Sequence, residues 1–123
     1  MKPTIYPSPG ILFLPTSTGI ELIQISSLIR VEAISNYSKL FFNSPGGIVK
    51  TLVVAKVLKW FEQVLADKGF ARIHRSHLIN VSHIEGFNNH HHLKVVLQNH
   101  EQIDISRRKR SSVLKRLAQS MAA

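Results

Sequence analysis

The strongest chemical signal in this sequence is a basic run near its C-terminus. From Arg107 to Ala123 there are six basic residues and no acidic one. The chain has 16 Lys and Arg against 7 Asp and Glu, a net charge of +9, so residues 1–106 carry 10 minus 7, or +3. Such a dense positive patch favours a polyanionic partner, with nucleic acid first and an anionic membrane surface second. The alternative is a solvated tail that only aids solubility.

The residues that open this run have an unusual relation to the helix we expect there. Ser106 is placed to be the N-cap of a helix over about 107–119. Arg107, Arg108, Lys109 and Arg110 then lie in its first turn, where the helix dipole is positive and carboxylates are preferred. A phosphate would relieve the conflict, because free amides and guanidinium groups both bind it. The alternative is a frayed basic end that binds only water and small ions.

Two further polar clusters could contact a nucleic acid. One consists of Arg72, His74, Arg75, Ser76 and His77. An arginine can read guanine bidentately in a major groove, while Ser and His hydrogen bond to phosphates or base edges. The alternative is a strand edge whose charges prevent aggregation. The other cluster consists of Asn36, Tyr37, Ser38 and Lys39, and by itself indicates only a turn.

The histidines and serines form no recognisable metal or catalytic motif. The three consecutive histidines at 90–92 point in diverging directions and lack a carboxylate or thiolate partner, so we expect adventitious metal binding rather than a specific site. Ser76 lies near His74 and His77, but the chain contains no GxSxG, HExxH, GxxxxGK[ST] or GxGxxG motif. We therefore expect no enzymatic activity, no metal and no cofactor.

Composition limits the class of protein. A chain of 123 residues with 44% hydrophobic and 19% charged residues suits one folded domain. No apolar run approaches the roughly 20 residues that span a bilayer, and the proline-containing start lacks the apolar segment of a signal peptide. Zero cysteines exclude a disulfide scaffold, a thiolate zinc site and a cysteine nucleophile. We expect a cytoplasmic protein without membrane insertion.

Most of the remaining chain reads as β-strand. Residues 1–10 form an irregular lead-in rich in proline, residues 11–119 form the domain, and residues 120–123 are a tail. Residues 11–16 and 20–25 predict a hairpin whose second strand is largely covered. The other predicted strands cover 28–34, 38–43, 48–54, 93–98 and 102–105, and residues 70–87 mix β-branched with polar residues.

Two segments have helical periodicity. Apolar residues recur with helical spacing from Val54 to Leu65 and predict an amphipathic helix over about 54–68, which Gly69 ends. A second stripe that includes Val113 and Leu117 predicts the short C-terminal helix over about 107–119.

Four segments together resemble the LytTR DNA-binding domain of bacterial transcription regulators. They are VEAISNYSKLFF (31–42), the amphipathic helix, FARIHRSHLINVSHI (70–84) and ISRRKRSSVLKRL (105–117). The resemblance runs from about Ile11 to about Leu117. Its most specific motif is FxRxHRSxxxNxxxI, matched by Phe70, Arg72, His74, Arg75, Ser76, Asn80 and Ile84. EAxxNY at 32–37 and SRR at 106–108 support it in the expected order.

The resemblance implies a mainly β fold, an elongated arrangement of small antiparallel sheets with one amphipathic helix and a short C-terminal helix. It also implies that loops, rather than a recognition helix, enter the major grooves of double-stranded DNA. The base-reading positions fall on Ser38, Arg75 and Arg108, with Lys39 as the alternative reader because Ser38 is short. The implied backbone or supporting contacts are Asn36, Tyr37, Lys39, Arg72, His74, Ser76, Ser106, Arg107 and Lys109.

The function implied is that of a bacterial transcription regulator, with two copies of the domain on a repeated DNA site. Family members usually carry an N-terminal receiver or sensor, so we expect a stand-alone regulator or the excised DNA-binding domain of a two-component response regulator, with a receiver or sensor acting in trans. A receiver's acidic pocket is absent, so phosphorylation within this chain is not its input. The alternative function is a basic β module that binds RNA or a protein partner without sequence-specific DNA readout.

Overall fold

The computed structural model describes residues 10–121, and this part of the chain is mainly β, as predicted. The lead-in predicted for residues 1–10 falls almost wholly outside the described residues. The strands are β1 (Ile11–Thr16), β2 (Gly19–Gln24), β3 (Leu28–Ile34), β4 (Tyr37–Asn43), β5 (Val49–Val54), β6 (Phe70–His74), β7 (His77–Asn80), β8 (Ile84–Asn88), β9 (Lys94–Leu97) and β10 (Gln102–Asp104). The helices are α1 (Leu58–Val64) and α2 (Arg110–Met121).

The strands form three antiparallel sheets, as the resemblance implies. The largest has the order β5-β4-β3-β7-β6, and smaller sheets have the orders β1-β2 and β10-β9-β8. β3 is the central strand of the large sheet, and its first four residues, Leu28–Val31, are all buried. Successive side chains of a strand point to opposite faces, so β3 contributes to a core on each side of this sheet.

One core lies between the large sheet, the β1–β2 hairpin and α1. Leu14 from the hairpin, Val31 from β3 and Leu40 from β4 are completely buried there, together with Phe61 and Leu65 from the helical segment. This packing fixes α1 against the sheet that carries the predicted motif.

The second core joins the large sheet to the β8–β10 sheet and to α2. Ile73 and Ile79 from the large sheet pack with Val95 from β9 and with Val113 and Leu117 from α2. The apolar side of α2 thereby packs beside β6. This packing also fixes the positions of the basic residues on the other side of the helix.

The amphipathic helix is shorter than the predicted 54–68. Val54 belongs to β5, where it pairs with Ser38 of β4, and the helix begins only at Leu58 and ends at Val64. The same core buries Val54 from the strand and Leu58, Phe61 and Leu65 from the helical segment. The apolar residues of the two elements therefore have the spacing of one continuous amphipathic helix in the sequence. Gly69 has a φ of 82°, which suits the predicted glycine at the end of this segment.

The C-terminal helix begins at Arg110 rather than at about 107. Residues 107–109 form a turn ahead of the helix, and the first helical hydrogen bond runs from the Val113 amide to the Lys109 carbonyl at 2.9 Å. The helix continues to Met121, two residues beyond the predicted end.

The second strand of the hairpin is not largely covered, contrary to expectation. Only Ile23 of β2 is buried, whereas Ile20 and Leu22 are 63% and 56% exposed. The two-stranded sheet packs on the core by one face, so the side chains of its other face remain at the surface. Neither helix in residues 10–121 is long and apolar enough to cross a membrane.

Candidate nucleic-acid interface

Three polar segments are brought together at one end of the large sheet. They are the β3–β4 turn at Ser35 and Asn36, the β6–β7 turn at Arg75 and Ser76, and residues 106–109 ahead of α2. The Ala33 amide donates to the Ser76 carbonyl at 2.9 Å, which joins the first two segments. The Ser106 amide donates to the Ile73 carbonyl at 2.8 Å, which joins the third segment to β6. The three clusters predicted from the sequence are therefore neighbours in space.

The β6–β7 turn depends on side-chain hydrogen bonds for its shape. Two-residue hairpin loops favour turn types that require positive φ. In residues 10–121 the non-glycine residues with positive φ are Ser35 and His100, so Arg75 and Ser76 adopt a less favoured turn. His74 Nδ1 accepts a hydrogen bond from the Ser76 amide at 3.1 Å and stabilises it. His74 therefore supports the turn from within, with its Nδ1 turned towards the backbone.

Arg72 also holds this turn rather than projecting freely into solvent. Its Nη1 donates to Glu62 Oε1 at 2.9 Å and its Nε to the His74 carbonyl at 3.1 Å. Its Nη2 donates to the Arg75 carbonyl. All three guanidinium nitrogens thus have protein partners. Arg75 itself is exposed at the tip of the turn.

A basic groove runs between this turn and α2. The groove has a volume of about 780 Å³. Its cationic lining residues are Arg72, Arg75, Arg107, Arg108, Lys109, Lys115 and Arg116. Ile73 and Val113 contribute apolar lining, and Glu62, which is paired with Arg72, is the one carboxylate among the described lining residues. A groove with seven cations and one carboxylate attracts a polyanion such as a phosphate backbone.

Lys115 and Arg116 are groove residues that the sequence predictions omitted from the site. Both belong to the same basic run, and they follow Ser112 by three and four residues on one face of α2. Their membership of the same basic run, on one face of the predicted helix, is the signal that could have identified them. Glu62 had no comparable signal, because its place in the groove depends on how α1 packs.

The start of α2 keeps part of the predicted conflict between cations and the helix dipole. The Ser106 hydroxyl accepts from the Lys109 amide at 3.3 Å, so it stabilises the turn before the helix instead of capping its first turn. Arg107 and Arg108 are exposed in that turn, and the first helical turn contains no acidic residue. An anion bound here would still be favoured by the exposed cations and the positive end of the dipole.

The β3–β4 end differs from expectation at Ser38. Ser38 is 0% exposed, and its hydroxyl donates to the Lys56 carbonyl at 2.7 Å, so its side chain does not reach the surface. This placement argues against base reading by Ser38, because its hydroxyl is turned to the backbone that follows β5 and not to solvent. Asn36 and Tyr37 are exposed, and Lys39 is half-buried with its ammonium 5.2 Å from the centre of the Phe41 ring.

His77 lies behind the Arg75 turn in a partly buried position. It pairs across the strands with Glu32 and His74, and its ring is 5.2 Å from that of His74. Burial lowers the pKa of His77 below its ordinary value, and Glu32 opposes this effect. Its Nδ1 is buried without a hydrogen-bond partner among the described residues. The uncharged imidazole therefore suits this position best.

The described histidines and carboxylates do not form a metal centre. In residues 10–121 no group of three His, Cys, Asp or Glu is arranged to hold a metal ion. His92, from the run at 90–92, instead contacts Asp104 at 2.8 Å, and hydrogen bonding to His92 lowers the pKa of that carboxyl.

A small antiparallel β domain whose turns and C-terminal helix line a basic groove has the features of a nucleic-acid-binding domain. A family model for the LytTr DNA-binding domain matches residues 18–118. The chain belongs to the LytTr DNA-binding domain family, which is a family of DNA-binding domains and not of enzymes.

A solved structure agrees with this fold. The chain resembles the LytTr DNA-binding domain of a response regulator from Bacillus cereus, with a TM-score of 0.66 and 22% sequence identity. The similarity covers 94% of this chain and 100% of that chain. No curated protein matches the sequence.

Proposed function

We propose that this protein binds double-stranded DNA sequence-specifically through loops in the major groove and acts as a bacterial transcription regulator. The observation that carries the proposal is the basic groove between the Arg75 turn and α2. Two of the three candidate base readers, Arg75 and Arg108, line this groove and are exposed. Arginine binds the O6 and N7 atoms of guanine through two hydrogen bonds, which is the commonest specific contact to a base.

The other site residues fall into two groups: those whose side chains are exposed and those whose side chains are bonded to the protein backbone. Arg107 and Lys109 are exposed beside Arg108 and are assigned to phosphates. Arg72, His74 and Ser106 act on the protein backbone and support the loops. Ser76 contributes its carbonyl to the bond with Ala33.

At the β3–β4 turn, we assign base reading to residues that reach the surface instead of to the buried Ser38. Asn36 and Tyr37 are exposed at the turn, and Asn36 can pair with adenine through two hydrogen bonds. Lys39 is half-buried and follows the turn on β4, where its ammonium is suited to a phosphate.

We further propose that two copies occupy a repeated site and that a receiver or sensor in trans supplies the input. A single domain presents three loops at one end of one sheet, so it covers only a short stretch of duplex. A second copy on an adjacent repeat would extend the stretch of duplex that is contacted. The input follows from the resemblance to a response-regulator domain.

Binding of RNA is the competing function. Single-stranded RNA is recognised largely by stacking of bases on aromatic side chains. Within the described residues, the exposed aromatics are Phe13, Tyr37 and Phe87, and only Tyr37 adjoins one of the three interface segments. A single aromatic gives little stacking surface, which favours duplex DNA.

The test is selection from a random pool of DNA duplexes, followed by salt titration of the enriched sequence. We expect one motif to be enriched, and we expect its affinity to fall steeply with salt because the groove cations displace counterions. Single-stranded RNA should compete poorly. Replacement of a groove cation, as in Lys109→Ala, should reduce this salt dependence. Lys50→Ala is the control that also removes one positive charge, because Lys50 is exposed on the edge strand β5, far from the groove. Failure to enrich a sequence, with equal competition by RNA, would contradict the proposal.

A further inference from the structure

Glu62 is a carboxylate in a place where a DNA-binding surface would usually avoid one. It lies on α1 and lines the basic groove, and its side chain is 36% exposed. Its own field weakens the attraction of the groove for phosphates. A residue with this electrostatic cost needs another role, and its hydrogen bond with Arg72 indicates what that role is.

The Glu62–Arg72 pair is connected directly to the backbone of the β6–β7 turn. Arg72 Nη1 binds Glu62 Oε1, while Nη2 and Nε donate to the carbonyls of Arg75 and His74. A guanidinium is planar, so fixing one of its nitrogens to Glu62 orients the other two. The carboxylate on α1 thus determines where Arg72 holds the turn.

The turn needs this external support. Arg75 and Ser76 do not have the positive φ angles of the favoured two-residue turns, and β6 has an irregularity between Arg72 and His74. The backbone of Arg75 is therefore not fixed by local preference alone. α1, in contrast, is held rigidly through Phe61, which is completely buried beside Glu62. Glu62 transmits that rigidity to the turn.

We propose that Glu62 is a positioning residue for base reading by Arg75 and acts through Arg72. This inference rests on the proposed function. Replacing the carboxylate by the amide of glutamine leaves Arg72 only a weaker, uncharged acceptor, so its guanidinium can turn towards phosphates. The turn loses its fixed geometry, and Arg75 no longer presents its fork to a base in one orientation. Specificity at that base pair falls, although the net charge of the protein has become more positive.

The sign of the change in DNA affinity caused by Glu62→Gln distinguishes a positioning role from a purely electrostatic one. If Glu62 were only a counter-charge, Glu62→Gln would strengthen DNA binding to every sequence. Positioning by Glu62 predicts instead weaker binding to the selected site and unchanged or stronger binding to unrelated duplexes. Glu85→Gln makes the same charge change on β8 at an exposed residue outside the groove, and serves as the control.

The experiment measures affinity for the selected duplex and for versions substituted at each base pair, at several salt concentrations. For Glu62→Gln we expect at least about fivefold loss of discrimination at the base pair that Arg75→Ala identifies, out of the roughly 5- to 150-fold that a bidentate contact provides. Discrimination at the base pair that depends on Arg108 should remain. Arg72→Lys keeps the charge but not the planar fork and should cause the same loss. In the Arg75→Ala background, Glu62→Gln should have no further effect on base preference.

A thermal unfolding curve of each variant confirms that it is folded at the assay temperature. If Glu62→Gln binds all duplexes as tightly as the Glu85→Gln control or more tightly, and base preference is unchanged, the positioning role is overturned while sequence-specific binding stands. Equal losses at the Arg75 and Arg108 base pairs also overturn it, because they indicate general loosening. Failure of the wild-type protein to prefer any sequence overturns the proposed function and this inference together.

Discussion

Glu101 binds the buried guanidinium of Arg30 through both oxygens of its carboxylate. Arg30 Nη2 donates to Oε2 at 2.9 Å and Nε to Oε1 at 3.2 Å, while Nη1 donates to Glu32 Oε1 at 2.9 Å. Arg30 is only 6% exposed, and its guanidinium carbon lies 3.6 Å from the centre of the Phe41 ring. The pair therefore joins the central strand β3 to the β9–β10 turn and compensates a charge that would otherwise be buried alone.

We expect Glu101→Ala to destabilise the fold by about 1–3 kcal/mol, because it leaves part of a buried charged group without its hydrogen bonds. Glu32 remains as a partner for Arg30, which limits the loss. Urea unfolding followed by circular dichroism measures the effect. Glu85→Ala is the control, since substitution of an exposed glutamate usually changes stability by less than about 0.5 kcal/mol. Equal stability of the two variants would show that the Arg30 pair contributes nothing net.

Substitution of groove residues should distinguish those that read bases from those that bind phosphates. Arg75→Ala and Arg108→Ala should each cost about 1–3 kcal/mol of binding free energy and relax preference at particular base pairs. Lys109→Ala should weaken binding to all sequences similarly and reduce the salt slope by about one, because we assign Lys109 to a phosphate. Binding measurements across duplex variants and salt concentrations distinguish these effects. A uniform loss for all three variants would refute the assignment of Arg75 and Arg108 as readers.

Local sequence patterns were sufficient to predict most of the strands and the three polar clusters, but they did not separate the three strands β6, β7 and β8. The hairpin of β1 and β2 and the motif around Arg75 both depend on residues close together in the chain. The exposed face of β2 was not predictable in this way, because it depends on which elements pack against the hairpin. Val54 was assigned to the helix for the same reason, since burial in a shared core has no local signature.

The relationships that decide the interface are tertiary. Ser38 occupies the motif position of a base reader, but pairing of β4 with β5 turns its hydroxyl to the Lys56 carbonyl. The resemblance places Arg72 among the backbone or supporting contacts without choosing between the two roles, and only the packing of α1 beside β6 shows that Glu62 is its partner. The positions of the cations were thus predictable, whereas the division between contacting and supporting side chains was not.

Stability should fall as the pH decreases below about 6.5, and His77 should contribute to this. Burial lowers the pKa of His77 in the folded protein from its ordinary value of 6.5, with smaller effects of Glu32, His74, Arg30 and Asp104. The unfolded chain then binds more protons than the folded one as the pH passes below 6.5, so unfolding becomes more favourable. The contribution of His77 is fully present above that pH and is lost towards and below its folded-state pKa.

His77→Gln should therefore reduce the pH dependence of the unfolding free energy between pH 7 and pH 5, a window defined by the ordinary histidine pKa. Urea unfolding at several pH values measures this slope. His91→Gln is the control, because it makes the same substitution at an exposed histidine. The same slope in wild type and His77→Gln would show that another group causes the pH dependence. The carboxyls of Glu101 and Asp104, whose pKa values are lowered by hydrogen bonding to Arg30 and His92, act only at lower pH.

The docking of α2 should be as important for DNA binding as its charges. Leu117 is 1% exposed and packs in the core shared by α2, β6 and the β8–β10 sheet. Leu117→Ala should destabilise the fold by about 2–5 kcal/mol, because the cavity it leaves cannot be filled by its neighbours. It should also weaken DNA binding although no cation is removed, since Lys115 and Arg116 are held at the groove by this packing.

Ala118→Ser provides the matched control on the same helix, because Ala118 is exposed. Thermal unfolding and salt-dependent DNA binding should be measured below the unfolding transition of each variant. We expect the control to retain wild-type stability and affinity, and we expect Leu117→Ala to bind with a smaller salt slope because α2 is no longer fixed beside β6. An unchanged salt slope in folded Leu117→Ala would mean that the cations of α2 reach DNA without being docked, and that the groove geometry is unnecessary for phosphate binding.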